Sequence, residues 1–414
     1  MQSNYKVRSE CAICGFENLD TIMEFGEVPL AGDYPEEPNI KENYNLTLMF
    51  CNQCKLLQTD SIISADRLFE DYRYMSSIGL SNHFSSVAVK LRDYFALTPE
   101  SSILEIGSND GVLLQPMMSL GLNPKGIEPA KNIAKISQEK GCDVLVDYFS
   151  EDLVEGIGWG EKFDLIISNN CFAHIDGINS IVSGIKKALK PEGHLVIEVH
   201  YVEPLIRSLQ YDNIYHEHIY YYSLNSLNYL FNSHGMSIVD FDFIPIHAGS
   251  VRVYVQNSPD KTTPSVKWQL NQEAVTGLTN VDWYKEFASK ATKHISDTKE
   301  FLINLSKTNT IAGYGASGRA NILCNLCDFN KEIISFIVDE SPERSNRYIA
   351  GTDIPIVSKQ YLDNSKVNYI VIFAWNFAKM IIEKLEGQGH KFLVPFPYMQ
   401  EVTTASELCD FVGV

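Results

Sequence analysis

The stretch Ser102-Ile-Leu-Glu-Ile-Gly-Ser-Asn-Asp-Gly-Val-Leu-Leu114 passes from a short apolar run, through a turn bounded by Gly107 and Gly111, into a second apolar segment. It reads as a buried strand, a glycine turn and a helix, and the glycines let the backbone approach a ligand closely. An acidic residue followed by GxxxG differs from the GxGxxG spacing of dinucleotide-binding turns. Seventeen residues after Gly111, Glu128 ends the next apolar run, Lys125–Ile127, where a carboxylate can accept both hydroxyls of a ribose. A third run, Phe163–Ser168, ends at Asn169 and Asn170, where an open α/β sheet places its ligand crevice. The three strand ends predict a cofactor pocket lined by Glu105, Gly107, Ser108, Gly111, Glu128 and Asn170. On spacing alone, an NAD or flavin pocket is the alternative.

Further strands, His194–Val199 among them, alternate with amphipathic stretches, which predicts a parallel sheet with crossover helices. At 414 residues the chain has room for two or three domains. We expect a metal-stapled module at 1–65, an α/β domain at 66–256 and a second Rossmann-like α/β domain at 257–414. The segment Pro259–Pro264 reads as a linker. After it, Trp283, Phe287, Ala291, Ile295, Leu302 and Leu305 recur at mostly four-residue steps and predict a long amphipathic helix.

Lys+Arg number 34 against 52 Asp+Glu, a net charge of −18 that repels nucleic acid and anionic lipid. Neither is an expected partner. No apolar run approaches the roughly 20 residues a membrane helix needs, and the N-terminus lacks the apolar core of a secretory signal. A cytoplasmic protein is expected, and its oligomeric state is left open.

Cys11-Ala-Ile-Cys14 and Cys51-Asn-Gln-Cys54 present four thiolates as two chelating pairs, suited to one tetrahedral Zn²⁺. The alternative is four packed or disulfide-linked cysteines. No fifth donor is evident, so the expected site is closed and structural. Cys324-Asn-Leu-Cys327 repeats the spacing in an apolar stretch without a second pair and reads as core.

Tyr211-Asp-Asn-Ile-Tyr-His-Glu-His-Ile-Tyr-Tyr-Tyr-Ser223 holds two histidines, a glutamate and five tyrosines in thirteen residues, a composition no structural element requires. Histidine titrates near neutrality and a nearby carboxylate can orient it, so the segment reads as acid/base machinery. A tyrosine hydroxyl can stabilise a developing oxyanion. A zinc site of His216, Glu217 and His218 is the alternative, although it lacks i, i+4 spacing. His174 and His247 stand at turns. Farther on, Ile311-Ala-Gly-Tyr-Gly-Ala-Ser-Gly318 is a true GxGxxG after a strand, and Asp339 closes the next one. An NAD(P)-dependent sugar-nucleotide oxidoreductase or epimerase is therefore the second reading.

The first glycine motif resembles motif I of class I S-adenosylmethionine-dependent methyltransferases. The order of the CxxC pairs, Leu68–Ser77, Glu105–Gly111, Ala173-His174, Tyr215-His-Glu-His218, His247-Ala-Gly-Ser-Val-Arg252 and Gly313–Gly318 resembles, over nearly the whole chain, the sugar C-methyltransferases of deoxysugar biosynthesis. The resemblance implies a zinc module, a class I methyltransferase domain and a C-terminal Rossmann-like domain that binds the nucleotide sugar and holds no NAD. It implies S-adenosylmethionine as cofactor and methylation at C-3 of a nucleotide-linked 4-keto-deoxysugar. Tyr215, Glu217, His218 and His174 match the family's active-site residues; Tyr72 and Tyr74 match tyrosines beside the cofactor. His218 becomes the expected base, Tyr215 or His174 the oxyanion donor and Glu217 the orienting carboxylate, with His247, Ser250, Arg252, Gly315 and Arg319 toward the substrate. Ala248 stands where the family usually has glycine. Methylation of a hydroxyl or amine on a similar sugar is the nearest alternative reaction.

Overall fold

The computed structural model describes residues 4–40, 42–69 and 75–408. Near the N-terminus β1 (Tyr5–Val7) pairs with β5 (Ser61–Ile63), while β2 (Asp20–Pro29), β3 (Asn43–Phe50) and β4 (Leu57–Thr59) form an antiparallel sheet. The fourth strand of that sheet, β11 (Tyr220–Tyr221), comes from the middle of the chain and pairs with β4. The segment rich in tyrosine and histidine is thus bonded directly to the cysteine module.

The central sheet contains β6 (Ile103–Ile106), β7 (Pro124–Ile127), β8 (Asp143–Leu145), β9 (Phe163–Asn169), β10 (Leu189–His200), β12 (Ser237–Ile244) and β13 (Ser250–Gln256), in the order β12-β13-β10-β9-β6-β7-β8. From β8 to β10 the strands are parallel; β13 and β12 close the edge antiparallel. Every residue of β6 is buried, as a strand covered on both faces by helices requires. The helix Ile178–Ala188 buries Ile178, Ile181, Val182, Ile185 and Ala188 at three- and four-residue steps. The chain leaves β6 toward β7 and β8, then returns to β9 and β10 on the other side. The C-terminal ends of β6 and β9 therefore flank a topological switch point.

A third sheet holds β14 (Ile311–Tyr314), β15 (Ile337–Val338), β16 (Ile356–Val357), β17 (Tyr369–Ile372), β18 (Lys391–Val394) and β19 (Gln400–Val402), in the order β16-β15-β14-β17-β18-β19. Its switch point lies between β14 and β17. Pro264 does not end a linker; it is the first residue of a helix, Pro264–Thr276, where its missing N–H costs nothing. The long helix runs Val281–Ser306, but its buried stripe is Tyr284, Phe287, Ala291, His294, Thr298 and Leu302. Trp283, Ile295 and Leu305 flank it half-buried. His294 is tolerated inside because both ring nitrogens are bonded, to Tyr211 Oη at 2.9 Å and to the Pro395 carbonyl at 2.8 Å.

Candidate active site

Glu105 is the penultimate residue of β6, and Gly107 and Gly111 follow in left-handed conformations, φ +72° and +80°. A side chain at either would collide: a Cβ would stand 2.8 Å from Cys171 Sγ at Gly107 and 2.5 Å from Ser137 Oγ at Gly111. Glu105 is 3% exposed and burial raises its pKa well above the ordinary carboxylate range; its Oε2 has no hydrogen-bond partner. The buried Asn170 Oδ1 likewise has none. Two unanswered acceptors beside a glycine cradle suit a ligand rich in N–H and O–H donors, which S-adenosylmethionine is. Glu128 Oε1 accepts from the Ala130 amide at 3.0 Å and Oε2 from the Asn109 amide at 2.9 Å, which aims its carboxylate and leaves lone pairs for hydroxyls. Ser108 is buried, its amide bonded to the Ile127 carbonyl. Tyr72 and Tyr74 lie outside the described residues.

Beyond this cradle four histidines from four separate segments converge. His174 follows β9, His200 ends β10, His218 precedes β11 and His247 precedes β13. Ring centroids are 4.9 Å apart for His174 and His218, 5.1 Å for His200 and His218, and 5.3 Å for His200 and His247. Burial drives all four toward the neutral form: His174 and His247 fall to about 4, and His200 and His218 fall well below 6.5. Arg319, from the glycine loop after β14, adds repulsion at His200, His218 and His247. His218 Nδ1 lies 3.1 Å from the Asn213 carbonyl and must donate to it, so the Nε2 lone pair faces the Tyr215 hydroxyl at 3.1 Å.

Tyr215–His218 is a turn, closed by the His218 amide on the Tyr215 carbonyl at 2.9 Å. Tyr215 and His218 face the histidine cluster, while His216 Nε2 donates to the Asn45 carbonyl at 3.2 Å and Glu217 Oε1 accepts from the Gly32 amide at 2.8 Å. Burial lifts Glu217 to about 7, and its Oε2 has no hydrogen-bond partner. Four of the five tyrosines prove structural. Tyr211, Tyr220, Tyr221 and Tyr222 are buried, with hydroxyls bonded to His294, Arg8, the Asn213 carbonyl and the Phe172 carbonyl. Buried tyrosine needs such partners, and here they tie the segment to its surroundings.

The C-terminal unit closes one side. A Cβ on Gly318 would stand 3.4 Å from Tyr215 Cζ, so this glycine lies directly against the Tyr215 ring. Gly315, at φ +91°, passes Ala374, where a Cβ would approach to 2.5 Å. Arg319 sits over the Trp375 ring at 4.9 Å, 3.6 Å from Asp212 Oδ1, and donates to the Gln210 side chain and the His247 carbonyl at 3.4 Å. Ser250 and Arg252 are engaged elsewhere. Ser250 Oγ donates to the Ile246 carbonyl at 3.2 Å, and Arg252 pairs at 2.6 Å with the buried Glu198, which also meets His83 at 3.0 Å. Asp339 accepts from the Ala316 and Ser341 amides at 2.8 and 2.9 Å and pairs with Arg344 at 3.4 Å. Asp339 thus has one donor more than Glu128, the cationic Arg344, which occupies the side of the carboxylate that a ribose would need.

Among the described residues the metal-binding cluster is Cys11, Cys14, Cys51 and Cys54, whose sulfurs lie within 4.8 Å of one another. Tetrahedral Zn–S bonds of about 2.3 Å imply sulfur separations of about 3.8 Å, and the pairs Cys11–Cys54 and Cys14–Cys51 stand at 3.3 and 3.5 Å. The donor set fits a closed structural zinc. His216 and His218, facing opposite ways, do not form a second site.

A family model described as a methyltransferase domain matches residues 80–240, a C-methyltransferase C-terminal domain matches 245–397, and a zinc binding domain matches 11–69. The C-methyltransferase NovU of Streptomyces niveus is 29% identical over 99% of this chain and 100% of its own length. The chain is an S-adenosylmethionine-dependent methyltransferase. The same matches support a C-methyltransferase family. The ubiquinone biosynthesis O-methyltransferase of Bartonella bacilliformis is 33% identical over 26% of the methyltransferase and 44% of its own length. A solved magnesium protoporphyrin IX methyltransferase from Synechocystis PCC 6803 aligns with 14% identity and a TM-score of 0.35, over 47% of this chain and 89% of its own. No helix among the described residues of the methyltransferase is long and apolar enough to cross a membrane.

Sequence reasoning missed His200, Asn213, Asp212 and Gln210. His200 had a signal: it ends a parallel strand of the central sheet, the same rule that picked out Asn169 and Asn170. Asp212 and Gln210 had none, because their contacts with Trp375 and Arg319 are remote in sequence, and Asn213, although close to His218, takes its place only through His200.

Proposed function

We propose that this methyltransferase removes the C-3 proton of a nucleotide-linked 4-keto-deoxysugar and places a methyl group on that carbon. The observation that carries the reading is the neutral His218, held by Asn213 so that its Nε2 lone pair faces the cluster beside Tyr215. Carbon methylation needs a carbanion, a ketone at C-4 acidifies the adjacent C-3 proton, and a neutral imidazole can take it at physiological pH. Bound S-adenosylmethionine supplies a methyl group on a sulfonium, and Glu105, Gly107, Ser108, Gly111, Glu128 and Asn170 would hold it. Tyr215 or His174 donates to the developing oxyanion, and Glu217, fixed on Gly32, holds the segment that carries both ring systems.

His247, Gly315 and Arg319 meet the substrate in this reading, the guanidinium offsetting phosphate charge. Ser250 and Arg252 support them indirectly, through the turn before β13 and through Glu198. The division into 1–65, 66–256 and 257–414 assigns zinc, cofactor and nucleotide sugar to separate units. The second glycine loop is read as a nucleotide-sugar contact and not as an NAD site, in keeping with Arg344 at the carboxylate of Asp339.

The test is incubation with S-adenosylmethionine and a panel of nucleoside-diphosphate 4-keto-6-deoxyhexoses, with NMR of the product. A new methyl on C-3 is expected. His218→Asn should abolish transfer while S-adenosylhomocysteine still binds; full activity in that variant, or a methyl found on oxygen or nitrogen, sinks the assignment.

A further inference from the structure

We infer that Asn213 sets the tautomers of two neighbouring histidines in opposite senses, making His218 a proton acceptor and His200 a proton-bearing donor. The backbone carbonyl of Asn213 receives His218 Nδ1–H at 3.1 Å, which leaves Nε2 of that ring unprotonated. The side-chain amide of the same residue presents its nitrogen to His200 Nδ1 at 3.4 Å. An amide N–H can only donate, so His200 Nδ1 accepts and the ring proton sits on Nε2. Burial keeps both rings neutral, so each has one proton and one lone pair to place. Their centroids are 5.1 Å apart.

Asn213 is well fixed for this task. It ends the short turn Tyr211–Asn213, and each residue of that turn is anchored differently: Tyr211 on His294, Asp212 on Trp375, and Asn213 on the two rings. The residue itself is 3% exposed. His200 ends β10, and its ring lies between those of His218 and His247, at centroid distances of 5.1 and 5.3 Å.

The inference deepens the proposed reaction and rests on it for its chemical meaning. An α-proton and its ketone oxygen lie on adjacent carbons, so the base and the donor must be neighbours. His218 Nε2 takes the C-3 proton, the C–H electron pair becomes the C-3–C-4 double bond, and the carbonyl π pair moves to oxygen. His200 Nε2–H then donates a hydrogen bond to that oxygen and keeps its proton. Asn213 is a positioning residue, acting through the rings.

Long-range proton–nitrogen spectra of the full-length zinc-loaded protein, labelled with ¹⁵N-histidine, read the tautomers without substrate. The expected result is Nδ1–H at His218 and Nε2–H at His200. Asn213→Asp, whose carboxylate can only accept from a ring N–H, should switch His200 to Nδ1–H and leave His218 unchanged. A common tautomer for both rings in the wild type, or a folded Asn213→Asp protein with His200 unmoved, overturns the inference. The wild-type spectrum decides by itself should the variant not fold.

On a 4-keto nucleotide sugar that the wild type methylates, His200→Phe should lose about a hundredfold in kcat with KM little changed, the usual cost of one oxyanion donor. His200→Gln, which keeps an N–H, should recover at least a tenth of the activity. Equal losses in the two variants count against a donor role. A wild type inert toward every keto sugar sinks the proposed substrate class, and the tautomers are still settled by the nitrogen spectra.

Discussion

The indole N–H of Trp375, in the C-terminal unit, donates to the Asp212 carboxylate at 2.7 Å, one residue before the asparagine that holds His200 and His218. Asp212 is 1% exposed and its other near partner, Arg319, also belongs to the C-terminal unit. The unit that carries the second glycine loop therefore grips the turn on which the candidate base depends.

Trp375→Phe tests that grip. It keeps the ring beneath Arg319 but leaves a buried carboxylate short of a donor, which should cost about 1–3 kcal/mol. Urea unfolding measures the loss, and methyl transfer should fall with it while S-adenosylhomocysteine affinity stays near wild type. An unchanged unfolding midpoint would show that the Asp212 carboxylate does not need the indole.

Zinc removal should stop methyl transfer although the metal takes no part in the chemistry. β11 pairs with β4, His216 bonds Asn45 and Glu217 bonds Gly32, so the segment that carries His218 is braced on the zinc module. Chelation should abolish activity and the module's ordered structure together, and restored zinc should return both. Cys51→Ser should behave as the chelated protein does, judged by metal analysis and circular dichroism.

The two knuckles make a matched pair for a backbone test. Gly15 and Lys55 each donate to the first cysteine of their CxxC, at 2.9 Å, and both are left-handed, φ +68° and +65°. Lysine is strained there and glycine is not, so Lys55→Gly should raise stability by about 0.5–1 kcal/mol. Gly15→Ala, with nothing within 4 Å of the added Cβ, should lower it by a similar amount. Denaturant midpoints of the zinc-loaded proteins read both; a loss in Lys55→Gly contradicts the argument.

Glu217 gives a pH dependence with a definite sign. Its pKa is raised from 4.5 to about 7, so the folded protein binds a proton that the unfolded chain releases. Its contribution is full below pH 4.5 and is lost as pH rises to about 7, worth roughly 3 kcal/mol at most. His174 and His247, lowered from 6.5 to about 4, work the other way and remove stability as pH falls through that window. Glu217→Gln should therefore become relatively more stable than wild type as pH rises from 4.5 to 7. Thermal melts across that range check it, and parallel curves for the two proteins would place Glu217 at its ordinary pKa.

Local chemistry was legible in the sequence. Glycines that must turn left-handed, apolar runs that must be strands, and cysteine pairs that must share a metal announce themselves within a few residues. Glu105 to Gly111, the four zinc ligands and the histidine-rich segment were visible for that reason, as was the three-part order of the chain. What tertiary structure decided was which side chains meet. His216 and Glu217 stand between Tyr215 and His218 in sequence but face the zinc module, because the His218 amide bonds back to the Tyr215 carbonyl and closes a turn whose end residues face one way and whose middle pair faces the other. Four tyrosines that looked chemical became braces once their hydroxyls found partners. His200 joined the cluster because β10 lies beside β9 and ends at the same edge, and Asn213 acquired a meaning only when His200, from that strand end, met it beside the nearby His218. Periodicity and spacing carry information over a turn or a strand; the juxtaposition of strand ends is set by sheet order, and that is decided by packing the whole chain.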